Sequence, residues 1–282
     1  MPNYIKIDDL HSPALDPYVR LTGAQLKNKL NLKDGLIIVE SPTVIGVALD
    51  AGCVPVSLLT DERLINSDVR GIIERLDNLG LDIPIYTGER DTLTRITGFE
   101  LTRGALAAFK RPTPLSACDI LKKARRVAVL EEIADSTNIG AIVRSAAALD
   151  VDALLITPTC CDPLCRRAIR VSMGTVFMLP FARITNEPSD WPSRGIDILH
   201  EYGFKTVAMA LRDDSVAIDS PLLLGEEKLA IILGTEGTGL KAETIKRSDY
   251  VTRIPMSRGV DSLNVGAAAA IAFYALCKRR ED

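Results

Sequence analysis

Residues 254 to 277 read Ile-Pro-Met-Ser-Arg-Gly-Val-Asp-Ser-Leu-Asn-Val-Gly-Ala-Ala-Ala-Ala-Ile-Ala-Phe-Tyr-Ala-Leu-Cys. The pattern predicts a strand ending at Ile254-Pro255, a loop containing Gly259, and a helix preceded by Asp261, Ser262 and Asn264, with Asp261 or Ser262 as its N-cap. A strand end that meets a helix start offers free backbone N–H groups and the positive end of a helix dipole, and open α/β sheets take small ligands there. The run Ala267 to Ala270 leaves the helix thin on one side, so another element is expected to pack close to it. Taken alone, the stretch reads equally well as a capped, Ala-rich core helix.

Just upstream, Leu229-Ala-Ile-Ile-Leu233 is the strongest strand signal in the chain, and Gly234-Thr-Glu-Gly-Thr-Gly-Leu-Lys241 follows it before a helix over Glu243 to Lys246. The spacing excludes a phosphate-binding P-loop, because Leu240 separates the last glycine from Lys241 and Ala242 stands where Ser or Thr is needed. Glu236 inside the loop argues against a phosphate as well, since two anions would face each other. What remains is a loop whose glycines let the backbone approach a ligand.

Further upstream, Val127 to Leu130 predicts a strand, Glu131 to Thr137 a polar loop, and Asn138 to Leu149 a helix with Asn138 at or near its cap and Arg144 two turns in. Ala153 to Ile156, Phe177 to Pro180 and Lys205 to Ala210 predict strands, and Ile196 to Tyr202 a helix. Cys161 to Gly174 has a proline at a helix start, a face of Arg166, Arg167 and Arg170, and a glycine stop. In the first part of the chain, helices are predicted over Leu21 to Leu30, Thr43 to Ala51 (entered by Ser41 and Pro42), Arg63 to Leu79 and Glu89 to Ile96. They alternate with strands over Leu36 to Val39, Val54 to Leu59 and Pro84 to Thr87, and Leu106 to Phe109 closes the unit. The expected organisation is two α/β domains, residues 1–112 and 125–282, joined by a linker over 113–124 in a proline-broken segment.

Composition narrows the function. At 282 residues and 47% hydrophobic content the chain has ample material for cores. No apolar run approaches the roughly 20 residues of a membrane span, and Met1 to Asp16 lacks the apolar segment of a signal peptide, so a cytoplasmic protein is expected. Cysteines 53, 118, 160, 161, 165 and 277 form no paired framework, and with two histidines, His11 and His200, they do not add up to a zinc site; no metal is expected. The formal charge of −3 gives no global basic footprint. Any nucleic-acid surface is therefore local, at Lys27, Lys29 and Lys33, at Lys122, Lys123, Arg125 and Arg126, at the Arg166 helix, or at Lys278 to Arg280.

Three stretches in this order, Asn138-x-Gly140-x-Ile142-x-Arg144, Leu233-Gly234-x-Glu236-Gly237-x-Gly239 and Ile254-Pro255-Met256 to Ser262-Leu263-Asn264-Val265, resemble the three motifs of the SpoU/TrmH RNA ribose methyltransferases of the SPOUT superfamily. The stretches Leu36 to Ser41 and Arg103 to Phe109 resemble, less specifically, an amino-terminal RNA-binding domain of the L30e/L7Ae type. The resemblance implies a trefoil-knotted parallel-sheet domain after a smaller α/β domain, a homodimer with its active sites at the interface, and a structured rRNA or tRNA as substrate. It implies S-adenosylmethionine in the knot, held near Leu233, Gly234, Glu236, Gly239, Ile254, Met256 and Leu263. It also implies Arg144 closest to the reaction, with Asn138, Glu236, Ser262 and Asn264 shaping the site or orienting groups in it, and RNA contacts at Arg166, Arg167 and Arg170; the local basic patch adds Lys122 and Arg126 as expected RNA contacts. Where the family often has Ser after Leu-Asn-Val, this chain has Gly266.

The chemistry constrains these roles independently. A ribose hydroxyl is a poor nucleophile, so the protein must align it and stabilise a developing alkoxide. A guanidinium does not readily deprotonate, so Arg144 is expected to act as a charge, with the proton leaving to another acceptor. The alternative is a non-catalytic RNA-binding or ribosome-assembly protein that retains the fold. The presence of Arg144, Glu236, Ser262 and Asn264 together favours the enzyme.

Overall fold

The structure, a computed structural model, describes residues 2–19, 23–27, 35–97 and 104–277. Lys29, Lys33, Lys278 to Arg280, Arg103 and parts of the helix expected over Leu21 to Leu30 lie outside the described residues. In chain order the elements begin with β1 (Asn3–Lys6), α1 (Asp16–Val19), α2 (Gly23–Lys27), β2 (Leu36–Glu40), α3 (Pro42–Asp50), β3 (Pro55–Asp61), α4 (Arg70–Asn78), β4 (Pro84–Gly88), α5 (Arg90–Thr97) and β5 (Ala105–Lys110). They continue with α6 (Ala117–Lys123), β6 (Arg126–Leu130), α7 (Ser136–Ala148), β7 (Ala153–Ile156), α8 (Arg166–Val171), β8 (Phe181–Arg183), α9 (Ser193–Glu201) and β9 (Lys205–Met209). The last are β10 (Val216–Ala217), α10 (Pro221–Gly225), β11 (Leu229–Leu233), α11 (Ala242–Arg247), β12 (Tyr250–Arg253) and α12 (Val265–Leu276).

These elements form two compact units, Met1–Thr113 with Leu164–Phe177, and Pro114–Pro163 with Met178–Asp282. The first holds a five-stranded sheet in the order β1-β4-β3-β5-β2. Its β1, β4 and β3 are parallel, and β5 runs antiparallel to both β3 and β2. Ser41 caps α3 by accepting from Val44 N–H at 3.4 Å, and Pro42 at the first helical position supplies the fixed φ a helix entry needs. The helix expected from Arg63 is α only from Arg70; Asp61 accepts from Arg63 N–H and opens a 3-10 turn instead. One face of the sheet buries Ile38, Leu59, Leu106 and Ala108 against Leu15, Tyr18, Leu93 and Ile96.

The second unit is a seven-stranded, all-parallel sheet in the order β10-β12-β9-β11-β6-β7-β8. Every residue of β6 and β11 is buried, as expected for central parallel strands covered on both faces. One face packs Val127, Val129, Leu155 and Ile232 against Leu121, Ile196 and Leu199 of α6 and α9. On the other, α7 and α12 pack against each other and reach β7 and β11. Chain direction across the sheet reverses between β6 and β11, which places a topological switch point at their carboxyl ends.

Two further expectations shift. Residues 113–124, read as a linker, contain helix α6, whose Ile120 and Leu121 are buried in the second unit's core. The strand expected over Phe177 to Pro180 lies later, at β8, after a 3-10 turn over Thr175–Phe177. Pro180 has no N–H for a ladder, although its carbonyl accepts from Leu154 N–H at 2.9 Å.

Candidate functional site

At the carboxyl ends of β9, β11 and β12 the second unit has an open cavity of about 710 Å³. The segment after β11, Gly234 to Leu240, forms one wall, and Ile254, Met256 and residues 261 to 265 form another. All seven positions named for the cofactor, Leu233, Gly234, Glu236, Gly239, Ile254, Met256 and Leu263, line it, as do Ser262 and Asn264. Sequence reading missed Met209, Ala210 and Leu211, which line it from the end of β9. No local signal marks them, because their neighbourhood follows from strand order.

Gly234 is dictated by close backbone approach. A Cβ there would overlap the carbonyl carbon of Gly239 and stand 2.5 Å from Leu240 N, so any side chain would push the loop open. The loop folds back on itself, with Gly239 N–H donating to Thr235 O at 3.1 Å. Its exit is fastened by Glu131, a carboxylate only 1% exposed that sequence reading passed over as part of a polar loop. Glu131 Oε1 accepts from Lys241 N–H at 2.6 Å, and Oε2 accepts from Trp191 Nε1 at 2.5 Å and from the Thr244 hydroxyl. Three donors satisfy a buried charge, so the loop is anchored to β6, to the start of α11 and to the only tryptophan in the chain.

The helix entering from the third stretch begins two or three residues later than expected. The N-cap of α12 is Asn264, whose Oδ1 accepts from Gly266 N–H at 2.9 Å and Ala267 N–H at 3.4 Å. Asp261 and Ser262 remain outside the helix and exposed. Likewise α7 is capped by Asp135, whose Oδ1 accepts from Thr137 and Asn138 N–H, and Asn138 lies within the first turn. Asn138 is thereby freed from capping. Its Oδ1 accepts from Asn264 Nδ2 at 3.0 Å, and Asn264 Nδ2 also donates to Glu236 Oε1. Glu236 Oε1 further accepts from Val265 N–H at 3.4 Å. One asparagine amide thus caps α12 with its oxygen and joins all three motif stretches with its nitrogen. Gly266 is what lets α12 come so near α7: a Cβ there would lie 3.0 Å from both Ala141 Cβ and Asn264 Oδ1.

Arg144 is exposed on α7, does not line the cavity, and has no hydrogen bond or ion pair among the described residues. The basic residues expected to meet RNA divide. Arg126 is a correction: the residue is 8% exposed and four of its five N–H donors go to the carbonyls of Leu276, Arg125, Glu227 and Glu226 at 2.8 to 3.2 Å, so its side chain is committed inside the unit rather than presented to a phosphate. It ties the start of β6 to the end of α12. Arg166 and Arg170 share the buried Glu40 carboxylate at 3.1 and 3.6 Å, while Arg167 is exposed on the same helix. Lys122 is exposed and paired with Asp119 at 3.1 Å. Among the described residues no group of His, Cys, Asp or Glu is placed to hold a metal, and no helix is long and apolar enough to cross a membrane.

Comparison with known proteins follows the same lines. The SpoU rRNA Methylase family matches residues 125–274. An uncharacterized tRNA/rRNA methyltransferase of Mycobacterium bovis is 39% identical over 94% of this chain and 89% of its own length. The 23S rRNA (guanosine-2'-O-)-methyltransferase RlmB of Coxiella burnetii is 30% identical over 80% of this chain and 88% of its own. The fold is that of an AdoMet-bound rRNA methyltransferase from Sinorhizobium meliloti (TM-score 0.76, 22% identity, 97% of each chain). It is also that of the SpoU methyltransferase AviRb from Streptomyces viridochromogenes (TM-score 0.73, 20% identity, 94% of this chain and 97% of that one). With half of its length matched by one family and relatives aligned along both units, this chain belongs to the SpoU rRNA methylase family.

Proposed function

We propose that the protein is an S-adenosylmethionine-dependent methyltransferase that modifies a ribose 2′-hydroxyl of structured RNA, rRNA or tRNA, in the cytoplasm. The observation that carries this reading is the Asn138–Asn264–Glu236 network, which joins the three motif stretches at the mouth of a cavity lined by Leu233, Gly234, Ile254 and Met256. The cavity lies within the usual size range for small-ligand sites, and its apolar side chains and glycine-rich backbone suit an adenosine. S-adenosylmethionine, when bound, supplies a methyl group already activated by its sulfonium.

The side chains of this chain then have to place the ribose and handle charge. Asn138 Nδ2 has no partner among the described residues, because its oxygen is the atom engaged by Asn264; both N–H groups remain to donate to a substrate oxygen. Glu236 is committed to Asn264 and to Val265 N–H, so it orders the loop rather than taking the proton. Ser262, exposed at the cavity wall, is placed to hydrogen-bond substrate or cofactor. Arg144 supplies positive charge for the phosphate next to the reacting nucleotide and for the developing alkoxide.

Because Arg144 lies off the cavity wall of its own chain, the reading includes a homodimer in which two copies complete the site. The α12 face bearing Ala267, Ile271 and Tyr274 is exposed at helical spacing and supplies an apolar surface for the second copy. The reading further includes a trefoil knot through the Gly234 to Leu240 and Ile254 to Leu263 segments, and an L30e-like role in RNA binding for the first unit. Arg167, Arg166, Arg170 and Lys122 are the proposed backbone contacts.

The test is transfer of label from S-adenosylmethionine into unmodified 23S rRNA and tRNA transcripts, with nuclease digestion to locate it. Label on a ribose that disappears with Arg144→Ala supports the enzyme. Cofactor binding without label in any RNA supports the non-catalytic alternative.

A further inference from the structure

The loop between β12 and α12 turns at Arg258 and Gly259, whose φ values are +60° and +71°. Val260 N–H donates to Ser257 O at 3.2 Å across the turn. Two central residues of positive φ closed by such a bond make a turn of type I′, whose first central position favours Asn, Asp or Gly. A larger L-residue there crowds its Cβ against the following carbonyl oxygen. The chain nevertheless holds an arginine at that position.

No internal contact of Arg258 offsets this strain. It is exposed, with the whole stretch from Ser257 to Leu263, and has no hydrogen bond or ion pair among the described residues. Other arginines of the same unit are engaged: Arg212 with Asp214 at 2.8 Å, Arg247 with Asp197 at 2.7 Å and Arg253 with Asp213 at 3.5 Å. Asp261, three residues on, is also not its partner. Met256 and Asp261, on either side of the turn, line the cavity, whereas Arg258 does not. The turn therefore holds an exposed, unengaged guanidinium between two residues that line the cavity.

We propose that Arg258 is a substrate-binding residue that takes a backbone phosphate of the RNA beside the reacting ribose. The assignment rests on the ribose-methylation reading and adds to it a second cation, on a different segment from Arg144. A guanidinium fork matches the oxygens of a phosphate in a bidentate way, and the turn fixes the direction in which the side chain leaves the backbone. RNA is favoured over the cofactor's carboxylate because the residues on either side of the turn reach the cavity and Arg258 does not.

The experiment compares wild type, Arg258→Gly and Arg258→Lys in methyl transfer to unmodified 23S rRNA and tRNA transcripts over a range of salt, with cofactor affinity and melting temperature measured in parallel. For Arg258→Gly the KM for RNA is expected to rise about tenfold with kcat nearly unchanged, and the slope of log affinity against log salt to fall by about one unit. Lys restores part of both, cofactor affinity is unchanged, and the melting temperature does not fall because Gly adopts positive φ freely. An unchanged KM and salt slope in Arg258→Gly would overturn the assignment, and a parallel loss of cofactor affinity would reassign the guanidinium to the carboxylate. Should the wild type methylate no RNA, the ribose-methylation reading fails and this assignment fails with it. Transfer by wild type with an indistinguishable glycine variant removes this assignment alone.

Discussion

Asn264 Nδ2 donates to Asn138 Oδ1 at 3.0 Å, joining residues 126 positions apart, while Asn264 Oδ1 caps the helix that follows it. One side chain therefore caps a helix and joins two motif stretches with opposite ends of the same amide. Asn264→Ala is expected to lower stability by about 1 kcal/mol through loss of the cap and to reduce methyl transfer by about 100-fold. Asn138→Ala, which caps nothing, is expected to keep the stability and lose similar activity. The double variant should lose no more than the worse single one. Full additivity in kcat/KM would show that the two residues act independently.

Glu131 gives a second prediction. Substituting Ala leaves Trp191 Nε1, Lys241 N–H and the Thr244 hydroxyl without their acceptor in a buried place, at a cost of about 3 kcal/mol. Because Trp191 is the only tryptophan, its emission reports the event directly. A native-like emission spectrum and midpoint of urea unfolding in Glu131→Ala would contradict the anchoring role.

Gly234→Ala tests the loop. Its new Cβ has to displace backbone at Gly239 and Leu240, and overpacking of this kind costs about 1–3 kcal/mol. The displaced backbone lines the cavity, so cofactor affinity should fall at least tenfold, read by calorimetry. Gly237→Ala, at a position where a Cβ meets nothing but φ is +89°, should cost stability without a comparable loss of affinity.

Acid stability has a source at Asp249, just before β12. At Asp249, burial works to raise the pKa, but Lys205 Nζ, the N–H and hydroxyl of Thr206 and the His200 ring outweigh it and hold the carboxyl well below its usual range. A carboxylate depressed on folding contributes stability that is complete above its unfolded pKa, about 4, and is lost as pH falls below that. Asp249→Asn is therefore expected to be less stable than wild type by about 1–2 kcal/mol at pH 7, and the difference should shrink below pH 4. A difference that stays constant from pH 7 to pH 3 would rule out the linkage.

What consecutive residues decide was legible in the sequence. The buried runs of β6 and β11, the Ser41-Pro42 entry to α3 and the glycine-rich turn after β11 follow from propensity and backbone freedom, which depend on a few neighbouring residues. The three motif stretches also stood out, because their residue types and order were recognisable without knowing where they meet. The sequence could not show which of several capping residues starts a helix: Asp261, Ser262 and Asn264 all cap well, and the Ser257 to Val260 turn together with the Asn138 contact selects Asn264. It could not distinguish Arg126 from a surface cation, because the four carbonyls that enclose its guanidinium come from Arg125, Glu226, Glu227 and Leu276. Glu131 looked like one more loop carboxylate for the same reason. Its three donors come from 60 to 113 residues away, and partners at such separations are chosen by strand order and helix packing, which only the tertiary structure decides.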